Sequence, residues 1–369
     1  MSQSFYQKMH ASLLKNKNSQ PRTNDYFSWG RDKRHLTDNS EDIRINTVPK
    51  RYVKRVLRKV IRACKFYIIS QTVTEKNIKK WFGDFEEAYE LLSDKYSRTV
   101  FCETLLSKKF GEEHVSLSSF SNEFIAGYER SSERLLDTGD SLAVYKWKLK
   151  KVQLSNPNVI IYTIPTILNI IECFRCYTYK SEDINIAVDL GDIVIDCGVG
   201  WGDTTVYLAS LAGAEGKVYA FDILQDAFDA LDSQLKENPE IKNIKKIKKA
   251  VTDNSDRIFY TTDPSPGAKI VDHETPFKVT SITIDAFVEK EGISKIDFIK
   301  MDIEGAERGA LKGAERTIRT FKPKLAISIY HLSDDYSVIP QIINNIRSDY
   351  EFYLDCTTGF GGETILFCR

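Results

Sequence analysis

The chain lacks any uninterrupted apolar run of about 18 residues, the length that a membrane-spanning helix needs. Residues 1–17 are polar and contain no apolar core of the kind found in secretory signals. We therefore expect a cytoplasmic protein that does not cross a membrane.

Cysteine is present, but its pattern matches neither a disulfide framework nor a zinc site. The count is 7, an odd number for a long chain. Cys173 and Cys176 form a C-x-x-C pair, but no second cysteine or histidine pair follows at the spacing of a zinc site. Both lie in the apolar segment 167–176, which is typical of a helix, so we predict no metal or redox role for them.

The net charge is zero, but the two signs are separated along the chain. Residues 1–80 contain 19 Lys and Arg against 6 Asp and Glu; from totals of 52 and 52, this leaves 33 against 46 for residues 81–369. The 369 residues are enough for two domains, or for one domain with a large elaboration, and 42% hydrophobic content supports a sizeable core. The composition indicates a globular protein with a basic front and an acidic body.

The basic front divides into two parts. Residues 1–48 are polar and show no sustained periodicity, which predicts a mobile polar arm. Residues 49–80 are predicted to contain a basic amphipathic helix over 50–69 and a linker. The helix is predicted because apolar side chains recur at 53, 56, 57, 60, 61 and 64 among basic ones. Such a helix binds the inner face of an anionic membrane, or it packs on the body of the protein, and both alternatives stay open. We find no nucleic-acid recognition motif and expect no such partner.

Residues 81–184 are predicted to form a helical substrate-side region. Apolar residues recur near i, i+3, i+4 and i+7 over 82–92, and residues 96–110 continue in the same style. In the aromatic segment that follows, Tyr162 and Tyr177 are candidates for stacking on an acceptor ring. The alternative is that these side chains only seal the top of the sheet that comes next.

The most informative feature is a glycine-rich turn that follows a β-branched apolar run. Residues 193–195 predict a buried strand, Gly198, Gly200 and Gly202 come next, and a helical pattern starts near Asp203. Strand, tight turn and helix form a unit that cradles a nucleotide-like cofactor. The glycine spacing is GxGxG rather than the GxGxxG of dinucleotide sites, which favours S-adenosylmethionine over NAD.

Polar residues end three further predicted strands. Asp222 closes the strand 217–222, at a position where a carboxylate can accept both ribose hydroxyls of a cofactor. Asp302 follows the strand 296–301, and His331 follows the strand 323–330. Alternating strands and helices predict an α/β fold with a doubly wound, mostly parallel sheet. The carboxyl ends of its strands would bring these side chains to one edge.

A set of motifs resembles the FkbM-type methyltransferases over residues 185–369. The motifs are DxGxxxGD at 196–203, FIKMDIEGAE at 298–307, LKGA at 311–314, KPKLAISIYH at 322–331, IP at 339–340 and ETILF at 363–367. The resemblance implies a seven-stranded, Rossmann-like methyltransferase fold and O-methylation of a carbohydrate or glycolipid-type acceptor by S-adenosylmethionine. One departure is Phe221-Asp222-Ile223, where the family commonly has Glu-Pro after the Phe.

The resemblance also implies which residues hold the cofactor. Asp196 is expected at the ammonium group, the glycine turn at the methionine moiety, Asp222 at the ribose and Ala250-Val251 at the adenine edge. The complete set of expected cofactor contacts is Asp196, Gly198, Gly200, Trp201, Gly202, Asp203, Asp222, Ala250 and Val251.

Methyl transfer to a hydroxyl also requires one proton to be removed. An aliphatic hydroxyl does not ionise freely at neutral pH, so Asp302 or His331 is expected to take the proton as the new bond forms. Alternatively, Asp302, Glu304 and His331 bind a divalent ion that acidifies the hydroxyl, which we do not favour. Glu304 is also a candidate acceptor contact, and Glu307 is expected only to complement the dipole of the helix that follows it.

Two alternatives to glycan methylation stay open. The first keeps the enzyme class but gives it a small-molecule or carrier-bound natural product as acceptor. The second is a non-catalytic nucleotide-binding or membrane-scaffold module, against which the intact glycine turn and Asp302 argue.

Overall fold

A computed structural model provides the three-dimensional structure of the chain. It describes residues 7, 9, 75–111, 115, 117–119, 122–136, 139–144, 147–262, 270–271, 273–358 and 362–369. The predicted basic helix over 50–69 lies outside the described residues, and so does the predicted arm apart from residues 7 and 9, which are helical, with Met9 buried. Within the described ranges, no helix combines the length and the apolar character that crossing a membrane would require.

Four helices open the described chain. They are α1 (Glu75–Phe82), α2 (Glu86–Leu91), α3 (Lys95–Phe110) and α4 (Asn122–Leu136), with a 3-10 turn at Gly83–Phe85 between the first two. The carboxylate of Asp94 caps α3 by accepting the Ser97 amide at 2.7 Å. The helical pattern predicted over 96–110 is therefore confirmed, whereas the pattern over 82–92 is a 3-10 turn followed by the short helix α2.

Residues 141–186 are not helical throughout, which corrects the prediction of a helical region over 81–184. Their elements are β1 (Ser141–Val144), β2 (Trp147–Gln153), β3 (Ile160–Thr163), α5 (Pro165–Asn169), a π-helical turn (Ile170–Phe174), β4 (Tyr179–Lys180) and β5 (Asn185–Ile186). Strands β1 to β3 pair antiparallel, and we call this sheet the meander. In β3, Ile161 and Thr163 are buried and their neighbours are less so, which is the strand period of two.

The remaining residues form the main sheet with its helices, and a smaller sheet. The main-sheet part contains β6 (Ile193–Cys197), α6 (Asp203–Ala212), β7 (Lys217–Asp222), α7 (Gln225–Glu237), β8 (Ile244–Lys248), α8 (Ile284–Lys290), β13 (Phe298–Met301), α9 (Glu307–Lys312), α10 (Glu315–Phe321), β14 (Lys324–Ser328), α11 (Asp335–Ile346), β15 (Phe352–Cys356) and β16 (Thr364–Cys368). The smaller sheet contains β9 (Ala250–Val251), β10 (Ile258–Thr261), β11 (Ile270–Val271) and β12 (Lys278–Ile282).

The main sheet has seven strands in the order β15-β16-β14-β13-β6-β7-β8. Strands β14, β13, β6, β7 and β8 pair parallel, whereas β16 is antiparallel to both of its neighbours. The predicted doubly wound, mostly parallel sheet is therefore confirmed. Chain order reverses between β6 and β13, and in open α/β sheets a ligand binds outside the strand ends at such a point.

A buried ion pair joins the two strands at this reversal. Lys300 Nζ on β13 lies 3.0 Å from Asp196 Oδ1 on β6, and the side chains are 2% and 0% exposed. Lys300 also donates to the Cys197 and Gly198 carbonyls, and Thr205 donates to Asp196 Oδ2 at 2.6 Å. Burial alone would lower the pKa of Lys300, but the charges of Asp196 and Asp302 raise it. The lysine is therefore held in its charged form.

We predict that Lys300→Ala destabilises the fold by about 3–5 kcal/mol, because it leaves the Asp196 carboxylate buried without a counter-charge. Lys295→Ala is the control, since Lys295 is 61% exposed and pairs with Asp297 at the surface, where a pair contributes about 0–1 kcal/mol. Urea denaturation measures both losses. Equal losses would contradict the structural role given to Lys300.

Candidate functional site

The glycine turn connects β6 to α6 at the point where the strand order reverses. Gly198, Gly200 and Gly202 all have positive φ, at 98°, 59° and 80°. A Cβ on Gly198 would lie 2.0 Å from the Asp302 carbonyl oxygen, and one on Gly202 would lie 2.7 Å from Leu231 Cα. A Cβ on Gly200 would meet nothing within 4 Å. Gly198 and Gly202 are thus required by the packing of the protein itself, and open space for a ligand lies at Gly200.

Asp222 holds the glycine turn from the end of β7. Its Oδ2 accepts the amides of Val199 at 3.0 Å and Gly200 at 3.3 Å, and its Oδ1 accepts the Leu224 amide at 2.9 Å. Burial raises the pKa of this carboxyl, and the backbone amides oppose the rise. The aspartate that departs from the family pattern still reaches the turn, so the predicted ribose ligand and the predicted methionine cradle lie side by side.

The turn residues Trp201 and Asp203 face the meander. The Trp201 ring lies 5.3 Å from the Trp147 ring, between centroids, and it packs against Val144 and Leu149. Asp203 is buried and accepts a hydrogen bond from the Thr163 hydroxyl at 2.7 Å. Burial raises the pKa of its carboxyl. These two predicted cofactor contacts therefore have protein partners that support the turn.

Asp196 has the same kind of supporting role. It is fully buried in its pair with Lys300, behind the turn. Direct contact with a cofactor ammonium would require its carboxylate to leave that pair. Ala250 and Val251 form β9, and both are buried. The adenine-edge assignment of this dipeptide stays a prediction.

Asp302 lies directly after β13 and accepts hydrogen bonds from two tyrosines. Tyr177 donates to Oδ2 at 2.8 Å, and Tyr330 donates to Oδ1 at 3.0 Å. Its side chain remains 19% exposed. Tyr177 lies over Lys300, with Nζ 5.1 Å from the ring centroid. The structure thus brings the predicted residues Asp302 and Tyr177 together, and adds Tyr330, which occurs in the KPKLAISIYH motif without an assigned role.

His331 lies between two carboxylates. Nε2 is 3.3 Å from Asp302 Oδ1, and Nδ1 is 2.9 Å from Glu307 Oε1. Burial alone would lower the pKa of His331, but Glu307, Asp302 and Glu304 together raise it, which favours the charged imidazolium. The Glu307 carboxylate also accepts the Ile303 amide at 2.7 Å, so Glu307 orients His331 as well as occupying the first turn of α9.

Glu363 is a site residue that the sequence analysis missed. It precedes β16 with φ of 51°, and its Oε1 lies 3.5 Å from the Tyr330 hydroxyl, opposite Asp302. Burial and the nearby Asp302 raise the pKa of this carboxyl to about 8. Glu363 is the first residue of the ETILF motif, so the residue itself was visible in the sequence. The sequence did not indicate that the last strand would bring this residue close to Asp302.

Two other candidates fall in different places. Tyr162 lies on β3, where its hydroxyl donates to Glu237 at 2.9 Å, so it is not part of the Asp302 cluster. Glu304 Oε2 lies 3.9 Å from His331 Nε2, and its side chain is 51% exposed. Among the described residues, the group whose ligand atoms lie within 4.8 Å of one another is Asp302, Glu307 and His331. If a divalent ion binds, Glu307 therefore replaces Glu304 in the set named from the sequence.

Part of the chain is similar to a known protein family. The family model described as Methyltransferase FkbM domain matches residues 196–352. Over these residues the chain is similar to the methyltransferase FkbM domain. The match includes the glycine turn, Asp222, Asp302 and His331.

One solved structure has a similar fold, and others are similar over part of the chain. A crystal structure of methyltransferase FkbM from Methylobacillus flagellatus is 21% identical, with a TM-score of 0.50 over 80% of this chain and 60% of that one. The chain thus spans about three-fifths of the length of that protein. A putative rRNA-methylase from Clostridium thermocellum is 15% identical, with a TM-score of 0.33, over 49% of this chain and 87% of that one. Fibrillarin from Aeropyrum pernix, solved with natively bound S-adenosyl-L-methionine, is 13% identical, with a TM-score of 0.34, over 62% of this chain and 99% of that one.

We predict that Gly198→Ala and Gly200→Ala differ strongly in stability. Gly200→Ala adds only the strain of placing an alanine in the left-handed backbone region, about 1–2 kcal/mol. Gly198→Ala also places its Cβ against the Asp302 backbone, so it should lower the free energy of unfolding by more than about 4 kcal/mol. Urea denaturation of the two variants compares them. A Gly198→Ala protein as stable as Gly200→Ala would show that the turn does not contact β13 as described.

His331→Gln should lower the free energy of unfolding more at pH 6 than at pH 9. The folded-state pKa of His331 is raised, so its contribution is fully present below the unfolded pKa of about 6.5 and is lost as the pH rises through the folded pKa. Denaturation at both pH values measures the two losses in the free energy of unfolding. The control is the same substitution made in a Glu307→Gln background, where the difference between the two pH values should be smaller. A loss independent of pH would contradict the imidazolium assignment.

Proposed function

We propose that this protein transfers a methyl group from S-adenosylmethionine to a hydroxyl of a carbohydrate or glycan-type acceptor. The observation that carries the proposal is the partly exposed Asp302 carboxylate beside the glycine turn, held by Tyr177, Tyr330 and His331. It is a proton acceptor of fixed orientation, next to the position where a methyl donor would lie.

The fit of the turn to the cofactor is the first support. A side chain at Gly200 would project into open space, and the Gly200 amide donates to the Asp222 carboxylate at 3.3 Å. These groups would contact the amino-acid and ribose parts of the cofactor, and Val251, at the end of β9, would contact the base. When bound, the cofactor supplies an electrophilic methyl group on a sulfonium.

The proton is assigned to Asp302 rather than to His331. The raised pKa of His331 favours the imidazolium, which has no free lone pair to accept a proton. Asp302 accepts bonds from the two tyrosines and faces His331, and these donors fix the carboxylate orientation. His331 is therefore a positioning residue that also stabilises the charge of Asp302.

The choice of a hydroxyl-rich acceptor follows from what surrounds Asp302. Glu304 and Glu363 add acceptor oxygens for hydroxyl donors, and Tyr177 and Tyr330 add aromatic surface. A sugar presents several hydroxyls around a compact apolar face, and this combination suits it. A small-molecule or carrier-bound natural product with neighbouring hydroxyls would satisfy the same groups, so an acceptor panel should contain both classes.

Transfer of a labelled methyl group from S-adenosylmethionine to a panel of glycosides and polyhydroxylated natural products tests the proposal. Label recovered as a base-stable methyl ether on a sugar supports it. Label on nitrogen or carbon, or on the natural products alone, contradicts the proposed acceptor class.

Asp302→Asn should lower turnover by about two orders of magnitude, because the amide cannot accept the proton. Affinity for S-adenosylhomocysteine should stay within about twofold. Asp334→Asn is the matched control, since this exposed aspartate pairs with Arg308 and does not contact Asp302. Its turnover should match that of the wild type, and unchanged turnover in Asp302→Asn would remove Asp302 from the role of base.

A further inference from the structure

Two buried amide side chains connect α7 to the meander. Gln234 lies in the last turn of α7 and is 0% exposed; Asn238 follows the helix and is 1% exposed. The sequence analysis did not select either residue. A polar residue near the end of a helix that has polar and apolar faces gives no sign in the sequence that it is buried. Buried amides require partners for both their donor and acceptor atoms.

Each amide pairs with one residue of the outer edge of β3. Gln234 accepts the Tyr162 amide at 2.8 Å and donates to the Tyr162 carbonyl at 2.8 Å. Asn238 accepts the Ile160 amide at 2.8 Å and donates to the Ile160 carbonyl at 2.7 Å. The two amides thus satisfy the strand edge as a neighbouring strand would.

The spacing explains why the arrangement fits. Residues two apart in a strand are separated by about 6.6 Å. Residues four apart in a helix are separated by about 6 Å along its axis. Gln234 and Asn238 therefore match Ile160 and Tyr162 in register, and β3 is fixed to α7.

Gln234 makes one contact that Asn238 does not. Its amide nitrogen also donates to the Trp201 carbonyl at 3.1 Å, within the glycine turn. Leu231, one helical turn earlier, packs beneath Gly202. On the meander side, Trp147 contacts the Trp201 ring and Thr163 donates to Asp203. One side chain thus joins the helix, the meander and the turn.

We propose that Gln234 is a positioning residue for the cofactor, which fixes the glycine turn through the Trp201 carbonyl. The inference rests on the proposed function, because it takes the turn as the cofactor cradle. A turn with three left-handed glycines has many alternative conformations, and a ligand pays less ordering entropy when the protein has already selected one of them.

The test compares Gln234→Met with Asn238→Leu. Both variants keep the approximate side-chain size and remove the two bonds to β3. Gln234→Met also removes the bond to the Trp201 carbonyl, whereas Asn238→Leu also removes a bond to the Gln234 carbonyl within the helix end. Calorimetric titration with S-adenosylhomocysteine should give a Kd raised about tenfold for Gln234→Met and within about twofold of wild type for Asn238→Leu. Thermal unfolding should show comparable stability losses.

Hydrogen exchange separates positioning from a general loss of stability. Both variants should increase amide exchange in β3, whereas only Gln234→Met should increase it over residues 199–202 in the absence of ligand. Equal affinities in the two variants, with wild-type exchange in the turn, would overturn the inference. Wild-type protein that fails to bind S-adenosylhomocysteine would instead refute the proposed function, and the exchange comparison would still decide whether Gln234 orders the turn.

Discussion

The rest of the site depends on the buried pair between Lys300 and Asp196. The pair joins the two strands between which the order of the sheet reverses, and the same ammonium binds the Gly198 carbonyl and lies beneath the Tyr177 ring. The Lys300 ammonium therefore contacts both the glycine turn and the tyrosine that orients Asp302. Such a pair is costly to bury, and it specifies one arrangement of the strand ends over others.

Much of the candidate site could be predicted from the sequence. The β-branched run before Gly198 and the polar residues Asp222, Asp302 and His331 at strand ends predict which residues meet, because parallel strands end at one edge of a sheet. The structure brings Asp222 to the turn and His331 to Asp302 on this basis. Burial could not be predicted in the same way. Asp196 and Asp222 end neighbouring strands, yet Asp196 is buried in its pair with Lys300, whereas Asp222 accepts backbone amides of the glycine turn.

The features that the sequence did not predict depend on long-range contacts. Glu363 is distant from Tyr330 in the sequence. It lies close to Tyr330 only because β16 pairs antiparallel with β14. The outer edge of β3 is paired with the side chains of Gln234 and Asn238 rather than with a fourth strand. Neither effect has a local pattern, so periodicity alone could not reveal it.

Binding of the cofactor product tests the central claim most directly. Calorimetric titration of the protein with S-adenosylhomocysteine, and with NAD in parallel, should give a Kd in the micromolar range for the first and no binding for the second. Failure to bind S-adenosylhomocysteine, or binding of NAD in its place, would contradict the assignment of the glycine turn on which the account is built.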